Sequence, residues 1–301
     1  MGPQMRKISR AFRDNVAMIM MMNAAVITVP AIAHAADEYH PINFTRPIKL
    51  DRGVISPIAG QNATYFSDEE TCHLLKEMNG FSESDCAEID QLIIGLGQDI
   101  DNVDFSKPVS EGYVKLDDFF ASGADEDIAS IINQAKENAK EQSKKLGYPV
   151  EVLGWRLKPT ADREKGIIYY ALDGSFNHKP VINIKAVLLD RQGYILESIV
   201  PTTADLDAAG IKKIVDQAIS VYKPNPTTEY ASYNKGDKVA AYGGMGVLAT
   251  VVGVKYGKAA AVGGGLLIAA IFKKLAFLIA LPFIFAKNLF RRIFRRKEDS
   301  V

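Results

Sequence analysis

The C-terminal region, from residue 239 onward, restricts the possible folds and locations of this chain more than any other feature. Residues 239–286 contain four lysines and no acidic residue. The apolar blocks within them are residues 239–254, 259–272 and 275–286. No block alone reaches the ~20 residues that cross a bilayer, but the last two joined are long enough for a tilted transmembrane helix. We therefore predict that this region associates with a membrane.

Two arrangements of the membrane segment remain open. In the first, residues 259–286 cross the bilayer with two lysines near the middle, where each lysine costs ~3 kcal/mol on insertion. In the second, residues 239–254 and 259–272 form a short hairpin or re-entrant element, and the chain that follows lies in the interface. We assign residues 239–290 to a helical membrane anchor. The side chains predicted to contact lipid are Leu266, Leu267, Ile268, Phe277, Leu278 and Phe283.

The basic tail at residues 291–301 is predicted to bind lipid headgroups. It carries Arg291, Arg292, Arg295 and Arg296, and such clusters are attracted to anionic lipid. If one helix crosses the membrane, the positive-inside tendency places this tail in the cytoplasm.

The N-terminus has the pattern of an export signal. Residues 1–36 begin with four cations and one acid, continue with an apolar run at residues 16–32, and end in the small-residue motif Ala-His-Ala. This order is typical of a cleavable signal peptide, and an uncleaved anchor helix is the alternative. Export and a C-terminal anchor together predict a bacterial inner-membrane location, with the main domain periplasmic or otherwise extracytoplasmic.

The middle of the chain is acidic, although the whole chain is neutral. Once the two ends are set aside, residues 37–238 hold 22 cations and 33 acids, a net charge of −11. Neutralising nucleic-acid phosphates requires clustered lysine and arginine, so nucleic acid is excluded as a partner of this part.

Residues 37–110 are read as an N-terminal segment with one short helix and one disulfide. Ser67 and Glu70 stand three apart, as in a capping box, and predict a helix at residues 67–78. Cys72 and Cys86 are the only cysteines, and an even pair in an exported domain favours a disulfide. Two reduced, buried thiols are the alternative.

Residues 111–238 are predicted to form an α+β domain. Apolar residues at helical spacing favour a helix ending near residue 146 and a second helix beginning at residue 203. Between them lie four β-type runs with short connections: residues 150–157, 166–176, 180–190 and 194–201. Short connections make neighbouring strands antiparallel. We expect an antiparallel four-stranded meander flanked by the two amphipathic helices, both on one face of the sheet.

No catalytic, cofactor-binding or metal-binding residue is assigned. Asp173, Ser175 and His178 lie close together in one loop, a spacing that rarely gives triad geometry. The acidic run at residues 99–104 lacks the glycine and glutamate of an EF-hand, so a solvated turn is favoured over a calcium site. The strand aromatics are core residues or line a lipid or peptide pocket; they are Trp155, Tyr169, Tyr170 and Tyr194.

Several sequence pieces occur together in the order of a known family. They are EGYVKLDD at 111–118, KKLGYPVEVLGW at 144–155, INIKAVLLDRQGYILESIV at 182–200 and YNKGDKVAAYGG at 233–244, followed by an apolar C-terminus. The chain thereby resembles the family called domain of unknown function 2167, described as predicted membrane-anchored proteins of bacteria. The resemblance covers roughly residue 67 to the C-terminus. It implies an envelope location and a membrane anchor, and it implies no reaction.

The sequence therefore predicts a membrane-anchored extracytoplasmic protein with a non-catalytic binding or scaffold domain. The expected partners are membrane lipid and an envelope protein whose identity the sequence does not give. Gly253 and Gly257 form a G-x-x-x-G pattern, which also allows a homo-oligomer. The alternatives are an envelope enzyme with an unrecognised site and a membrane-associated oligomeric assembly.

Overall fold

A large antiparallel sheet organises the molecule. The computed structural model describes residues 42–79 and 89–256. The strands are β1 (Ile42–Asn43), β2 (Ile48–Lys49), β3 (Gly53–Ile55), β4 (Thr64–Phe66), β5 (Ile89–Ile94), β6 (Ile100–Ser106), β7 (Val150–Asp162), β8 (Ile167–Phe176), β9 (Lys179–Leu189), β10 (Tyr194–Pro201) and β11 (Tyr222–Pro224). The helices are α1 (Asp68–Asn79), α2 (Ala124–Leu146), α3 (Ala208–Ile219) and α4 (Gly244–Val252), with 3₁₀ turns at Asp117–Phe120 and Tyr230–Ser232.

The predicted four strands exist, but they are one half of a larger sheet. The order is β1-β4-β5-β6-β10-β9-β8-β7, with a smaller sheet ordered β11-β3-β2. The prediction of an isolated four-stranded meander was wrong because β10 pairs on its second edge with β6, where Glu197 lies opposite Phe105. Residues 42–106 supply the extra strands. The acidic run expected to be a solvated turn is largely β6, with Asn102 and Asp104 buried.

Helices cover both faces of the large sheet rather than one. Along β9, Ile184 and Ala186 pack in the cluster that contains α3, whereas Val187 and Leu189 pack in the cluster that contains α2 and α4. Successive side chains of a strand point to opposite faces, so α3 and α2 lie on opposite sides. The strands β8 and β9 are apolar on both faces, and each face therefore requires its own cover.

The ends of the helices follow their capping residues. The capping box before α1 forms as predicted, since the Ser67 amide donates to Glu70 Oε2 at 3.0 Å. Gly147 takes the left-handed conformation at the end of α2, with φ 76°. Helix α3 begins later than expected because Asp207 caps it, accepting from the Gly210 amide at 2.7 Å.

Residues 239–254, the first block of the predicted anchor, belong to the folded domain. Helix α4 carries Val247, Leu248 and Val251, which are at most 3 % exposed and pack against α2 and the sheet. Asp118 Oδ2 accepts from the Met245 amide at 2.9 Å at the start of this helix. A carboxylate there is stabilised by the helix dipole. Hydropathy alone does not separate a helix in a protein core from one in lipid.

The remaining anchor residues, 257–290, lie outside the described residues. So do all ten side chains predicted to contact lipid or headgroups, the basic tail, residues 1–36 and Cys86. Cys72 is half-buried on α1, and its pairing with Cys86 stays a prediction. Within residues 42–79 and 89–256, no helix combines the length and apolar character that a membrane crossing requires.

Candidate functional site

Three of the sequence pieces that carry the family resemblance meet at the turn between β9 and β10. The Tyr113 amide donates to the Lys238 carbonyl at 2.8 Å, and the Ala240 amide donates to the Tyr113 carbonyl at 2.9 Å. The Gly112 amide donates to the Gln192 carbonyl at 2.8 Å. Segments far apart in the chain are thus fixed side by side through their backbones at one end of the sheet.

A polar pocket of about 550 Å³ opens at this junction. Its wall is lined by Ser110, Gly112, Arg191, Gln192, Thr227, Thr228, Asp237 and Lys238. We call this the hairpin-end pocket. Most of these side chains carry hydrogen-bonding groups, which favours a polar ligand over an apolar one.

The charges in the hairpin-end pocket leave an excess of one cation. Arg191 forms a bidentate contact with Asp237: Nε donates to Oδ2 and Nη2 donates to Oδ1, both at 2.6 Å. Arg191 and then the Asn234 amide hold the pKa of Asp237 below its usual value, so this carboxylate stays ionised. Lys238 is exposed and has no acidic partner within 4.0 Å among the described residues.

A buried ion pair supports the pocket from behind. Arg52 Nη1 donates to Asp190 Oδ2 at 3.0 Å and to the Val109 carbonyl at 3.3 Å. The two side chains are 8 % and 3 % exposed. Arg52 Nη2 also donates to Ser110 Oγ. Because Ser110 is the acceptor of that bond, its own hydroxyl proton is available to a ligand in the pocket.

The β9–β10 turn requires glycine at its last position. Gly193 has φ 155°, and a Cβ built there would stand 1.8 Å from the Val109 carbonyl oxygen. Asp190 Oδ1 accepts from the Gln192 amide at 2.6 Å inside the same turn. The missing side chain therefore lets the β9–β10 turn pack directly against the backbone of Val109.

Three stacked tyrosines lie next to the pocket. The Tyr113 ring lies 4.6 Å from the Tyr230 ring and 4.1 Å from the Tyr233 ring, centroid to centroid. The Tyr230 hydroxyl donates to the Val114 carbonyl at 2.8 Å, and burial raises the pKa of Tyr230 above its usual value. This stack fixes the segment that carries Lys238 against the segment that carries Ser110.

A second polar cluster lies in the middle of the sheet, on the face covered by α2. Lys185 of β9 lies directly opposite Ser198 of β10, which lies opposite Asp104 of β6. Lys185 Nζ donates to Ser198 Oγ, and both residues are at most 4 % exposed. Burial lowers the pKa of Lys185, and the charge of Asp104 opposes that shift.

Glu197 lies on the opposite face and is fully buried. Neither of its carboxylate oxygens has a hydrogen-bond partner among the described residues. Burial, followed by the nearby charge of Asp104, raises the pKa of Glu197 to about 8. Its environment therefore favours the neutral acid.

The aromatic strand residues do not form a shared pocket. Trp155 packs edge-on against Tyr170, with ring centroids 5.4 Å apart, in the core under α2. Tyr169 packs on the other face of the sheet. Tyr194 is buried at the start of β10. The core interpretation of these residues therefore describes them better than the ligand-pocket alternative.

The three residues that spacing could have joined into a triad do not share one loop, because Asp173 and Ser175 lie on β8, and they have other contacts. Ser175 Oγ donates to Glu151 Oε2 at 2.6 Å, and Asp173 forms an ion pair with Arg156 at 3.0 Å. His178 lies in the tight β8–β9 turn with φ 64°. Among the described residues no group of three or more His, Cys, Asp or Glu side chains could hold a metal ion.

The residues of the hairpin-end pocket are not predictable from the sequence alone. The turn sequence Asp-Arg-Gln-Gly was recognisable, but nothing in the sequence joined it to Arg52, Ser110 or Asp237. Arg52 and Asp190 are 138 positions apart. A local pattern predicts a turn and does not predict the distant chain that packs on it.

The fold and the pocket define an α+β domain built on a large antiparallel sheet, with a polar binding pocket at the end of one hairpin. The chain belongs to the family described as protein of unknown function (DUF2167), whose model matches residues 47–284. The family predicted from the sequence is thereby confirmed.

Comparison with other known proteins adds little. The solution structure of cyanobacterial PsbP (CyanoP) from Synechocystis sp. PCC 6803 is similar over 64 % of this chain and 96 % of that chain, with 12 % identity and a TM-score of 0.32. No curated protein matches the chain significantly.

Proposed function

We propose that this protein is a membrane-anchored extracytoplasmic binding domain, and that its hairpin-end pocket binds a ligand carrying an anionic group. One observation carries the proposal. Among the described residues, neither Lys238 nor the hydroxyl proton of Ser110 has a hydrogen-bond acceptor, and those that line the pocket include one cation more than they have acids. A carboxylate or phosphate would accept from both.

The chemistry of the pocket favours binding over catalysis. Asp237 is the only carboxylate among the described residues that line the pocket, and contact with Arg191 holds the pKa of that group below its usual value. A general base works best when its pKa lies near the working pH, so Asp237 is a weak base. Two donor groups of Arg191 are bonded to Asp237, and this contact fixes both side chains in the wall of the pocket.

The location is proposed from the two ends of the chain. Residues 259–286 are apolar and the arginine tail follows, which supports a bacterial inner-membrane anchor with lipid as one partner. The export pattern of residues 1–36 supports a periplasmic domain and an envelope partner.

The homo-oligomer proposal rested on the Gly253 and Gly257 pattern. Gly253 is the left-handed C-cap of α4, with φ 82°, so the end of the helix accounts for this glycine and the homo-oligomer proposal loses support.

Photo-crosslinking in intact cells tests the binding proposal. Gln192, an exposed residue of the pocket, would be replaced by a photoreactive phenylalanine analogue in the full-length chain. We expect an adduct that is lost on adding Lys238→Glu, which reverses the charge of the pocket. The matched control carries the same analogue at exposed Lys179, the first residue of β9, next to the β8–β9 turn. An adduct insensitive to Lys238→Glu, or formed equally at both positions, would contradict the proposal.

A second candidate function rests on the Lys185 and Ser198 pair. A buried lysine with a lowered pKa beside a serine hydroxyl resembles the arrangement of Ser–Lys hydrolases. Against it, both residues are at most 4 % exposed, which leaves a substrate no path to the serine in this structure. Labelling of the full chain by a fluorophosphonate, lost in Ser198→Ala, would favour the enzyme.

A further inference from the structure

The chain leaves the described domain beside the first turn of α2. After α4 ends, Asn138 Nδ2 donates to the Gly253 carbonyl at 3.1 Å. Three residues later, the Tyr256 hydroxyl donates to Asp127 Oδ2 at 2.8 Å. Asn138 and Asp127 both lie on α2, so residues 253–256 run back along this helix toward its N-terminal end.

The 3₁₀ turn at Asp117–Phe120 lies at the same end of the domain. Asp118 Oδ2 accepts from the Met245 amide in the first turn of α4. The charge of Asp118 also contributes to raising the pKa of the Tyr256 hydroxyl. Helix α2 begins four residues after Phe120. The turn, the start of α2 and the last described residue therefore form one surface, which we call the exit surface.

Phe120 is the most exposed large apolar side chain of the described residues, at 55 %. Arg163 covers its ring, with Cζ 4.4 Å from the ring centroid, and also contacts Asp117 Oδ1 at 3.3 Å. An exposed phenylalanine under an arginine combines an apolar group with a phosphate-binding group. That pair suits the interfacial zone of a bilayer.

The connection between the exit surface and the apolar segment is short. Only residues 257 and 258 separate Tyr256 from the apolar block that starts at residue 259. A fully extended chain advances at most ~3.5 Å per residue, so the reach is about 10 Å. If the block enters lipid, the exit surface lies within that distance of the headgroups.

We propose that Phe120 inserts into the lipid interface and that Arg163 binds a headgroup phosphate, so that the exit surface orients the domain on the membrane. This inference rests on the membrane anchor of the proposed function. Asp117, Asp125 and Asp127 also lie on this surface and would repel anionic lipid. The phosphate of a zwitterionic lipid is therefore the preferred contact.

Depth-dependent fluorescence quenching tests the inference. The full-length chain with Phe120→Cys, labelled with an environment-sensitive dye, would be reconstituted in phosphatidylcholine vesicles. We expect a blue-shifted emission that nitroxide-labelled lipid quenches several-fold more than it quenches the control. The control is Lys179→Cys with the same label. Lys179 is exposed at the start of β9, near the other end of α2, roughly 30 Å away at 1.5 Å per helical residue.

Vesicle flotation in the same preparation separates two kinds of failure. If the chain does not float with vesicles, the membrane anchor is wrong, and the inference falls with it. If it floats but both labelled positions are quenched equally by lipid, the anchor stands and the insertion of Phe120 is overturned. Adding phosphatidylglycerol should not increase the quenching at position 120, because the nearby carboxylates oppose anionic lipid.

Discussion

At the residue scale, Arg52 is a side chain whose removal should destabilise the domain strongly. It is the buried partner of Asp190 and also bonds to Val109 and Ser110. Removing one member of a buried ion pair typically costs 3–5 kcal/mol, because the other charge stays buried without compensation. We expect Arg52→Ala to lower the free energy of unfolding by about that amount, measured by urea unfolding of the detergent-solubilised full chain.

An exposed ion pair provides the matched comparison for Arg52. Lys212 and Asp216 lie 2.6 Å apart on α3, and both side chains are more than half exposed. Pairs of this kind contribute about 0–1 kcal/mol, so Lys212→Ala should change the free energy of unfolding little. Similar losses in the two variants would show that the Arg52 bond does not support the pocket wall.

Glu197 should make the free energy of unfolding depend on pH well above pH 4.5, where an ordinary glutamate titrates. Burial raises its pKa to about 8, whereas the unfolded chain has the ordinary value near 4.5. Between these values the folded state binds a proton that the unfolded state does not. The free energy of unfolding therefore falls as pH rises through this window, by up to ~1.4 kcal/mol per pH unit, and levels off above pH 8.

Glu197→Gln should remove that dependence because an amide resembles the protonated acid. We expect the variant to gain stability relative to the wild-type chain as pH rises from 5.5 to 8.5, measured by urea unfolding at both pH values. Glu137→Gln on the exposed face of α2 is the control, since that side chain is 70 % exposed. A wild-type-minus-variant difference that stays constant with pH would show that Glu197 is ionised throughout.

At the scale of elements, α4 should behave as a core helix. Leu248 is fully buried under α2, and Leu→Ala changes in protein cores cost about 2–5 kcal/mol. We expect Leu248→Ala to lower the free energy of unfolding by an amount in this range. Val239→Ala is the control from the same apolar block, because Val239 is 39 % exposed and should contribute within about 0.5 kcal/mol. Equal, small effects would mean that α4 does not hold the domain together.

Periodicity predicted most of the elements that are long enough to show a period, but it missed the seven-residue strand β6, whose acidic residues favoured a solvated turn. The four strands β7 to β10 and the helices α2 and α3 were recognised within a few residues, except that β7 continues to Asp162 and α3 begins at Ala208. Strands β1 to β4 are two or three residues long, too short for any alternation to appear. Their place in the sheets depends on distant partners.

The assignment of α4 failed for a different reason. Its sequence, GMGVLATVV, is apolar on every side, and such a helix is stable either in lipid or in a protein core. Which of the two occurs depends on the apolar surface that α2 and β8 present, and a single sequence does not show that surface. The same holds for the hairpin-end pocket, whose walls come from segments that are far apart in the sequence.

At the scale of the whole molecule, truncation separates the roles of the two parts of the apolar C-terminus. To remove any effect of the N-terminus, residues 1–36 would be replaced by an established cleavable signal. A chain ending at residue 256 retains α4, whereas a chain ending at residue 243 lacks Met245, Val247, Leu248 and Val251, all buried. The chain ending at 256 should fold and fractionate with soluble periplasmic protein.

The chain ending at residue 243 should be degraded, because the loss of α4 exposes the apolar face of α2 and the sheet. Fractionation and limited proteolysis of both chains, with the full-length chain in the membrane pellet as reference, provide the measurement. If the chain ending at residue 256 still sediments with membranes, the described domain alone is enough to hold the chain on the membrane, and the anchor after Tyr256 is not required. If both truncated chains resist protease equally, α4 is dispensable and its burial contributes little to the fold. The expected difference would show that the core of the domain ends at α4 and that the segment needed to hold the chain in the membrane follows Tyr256.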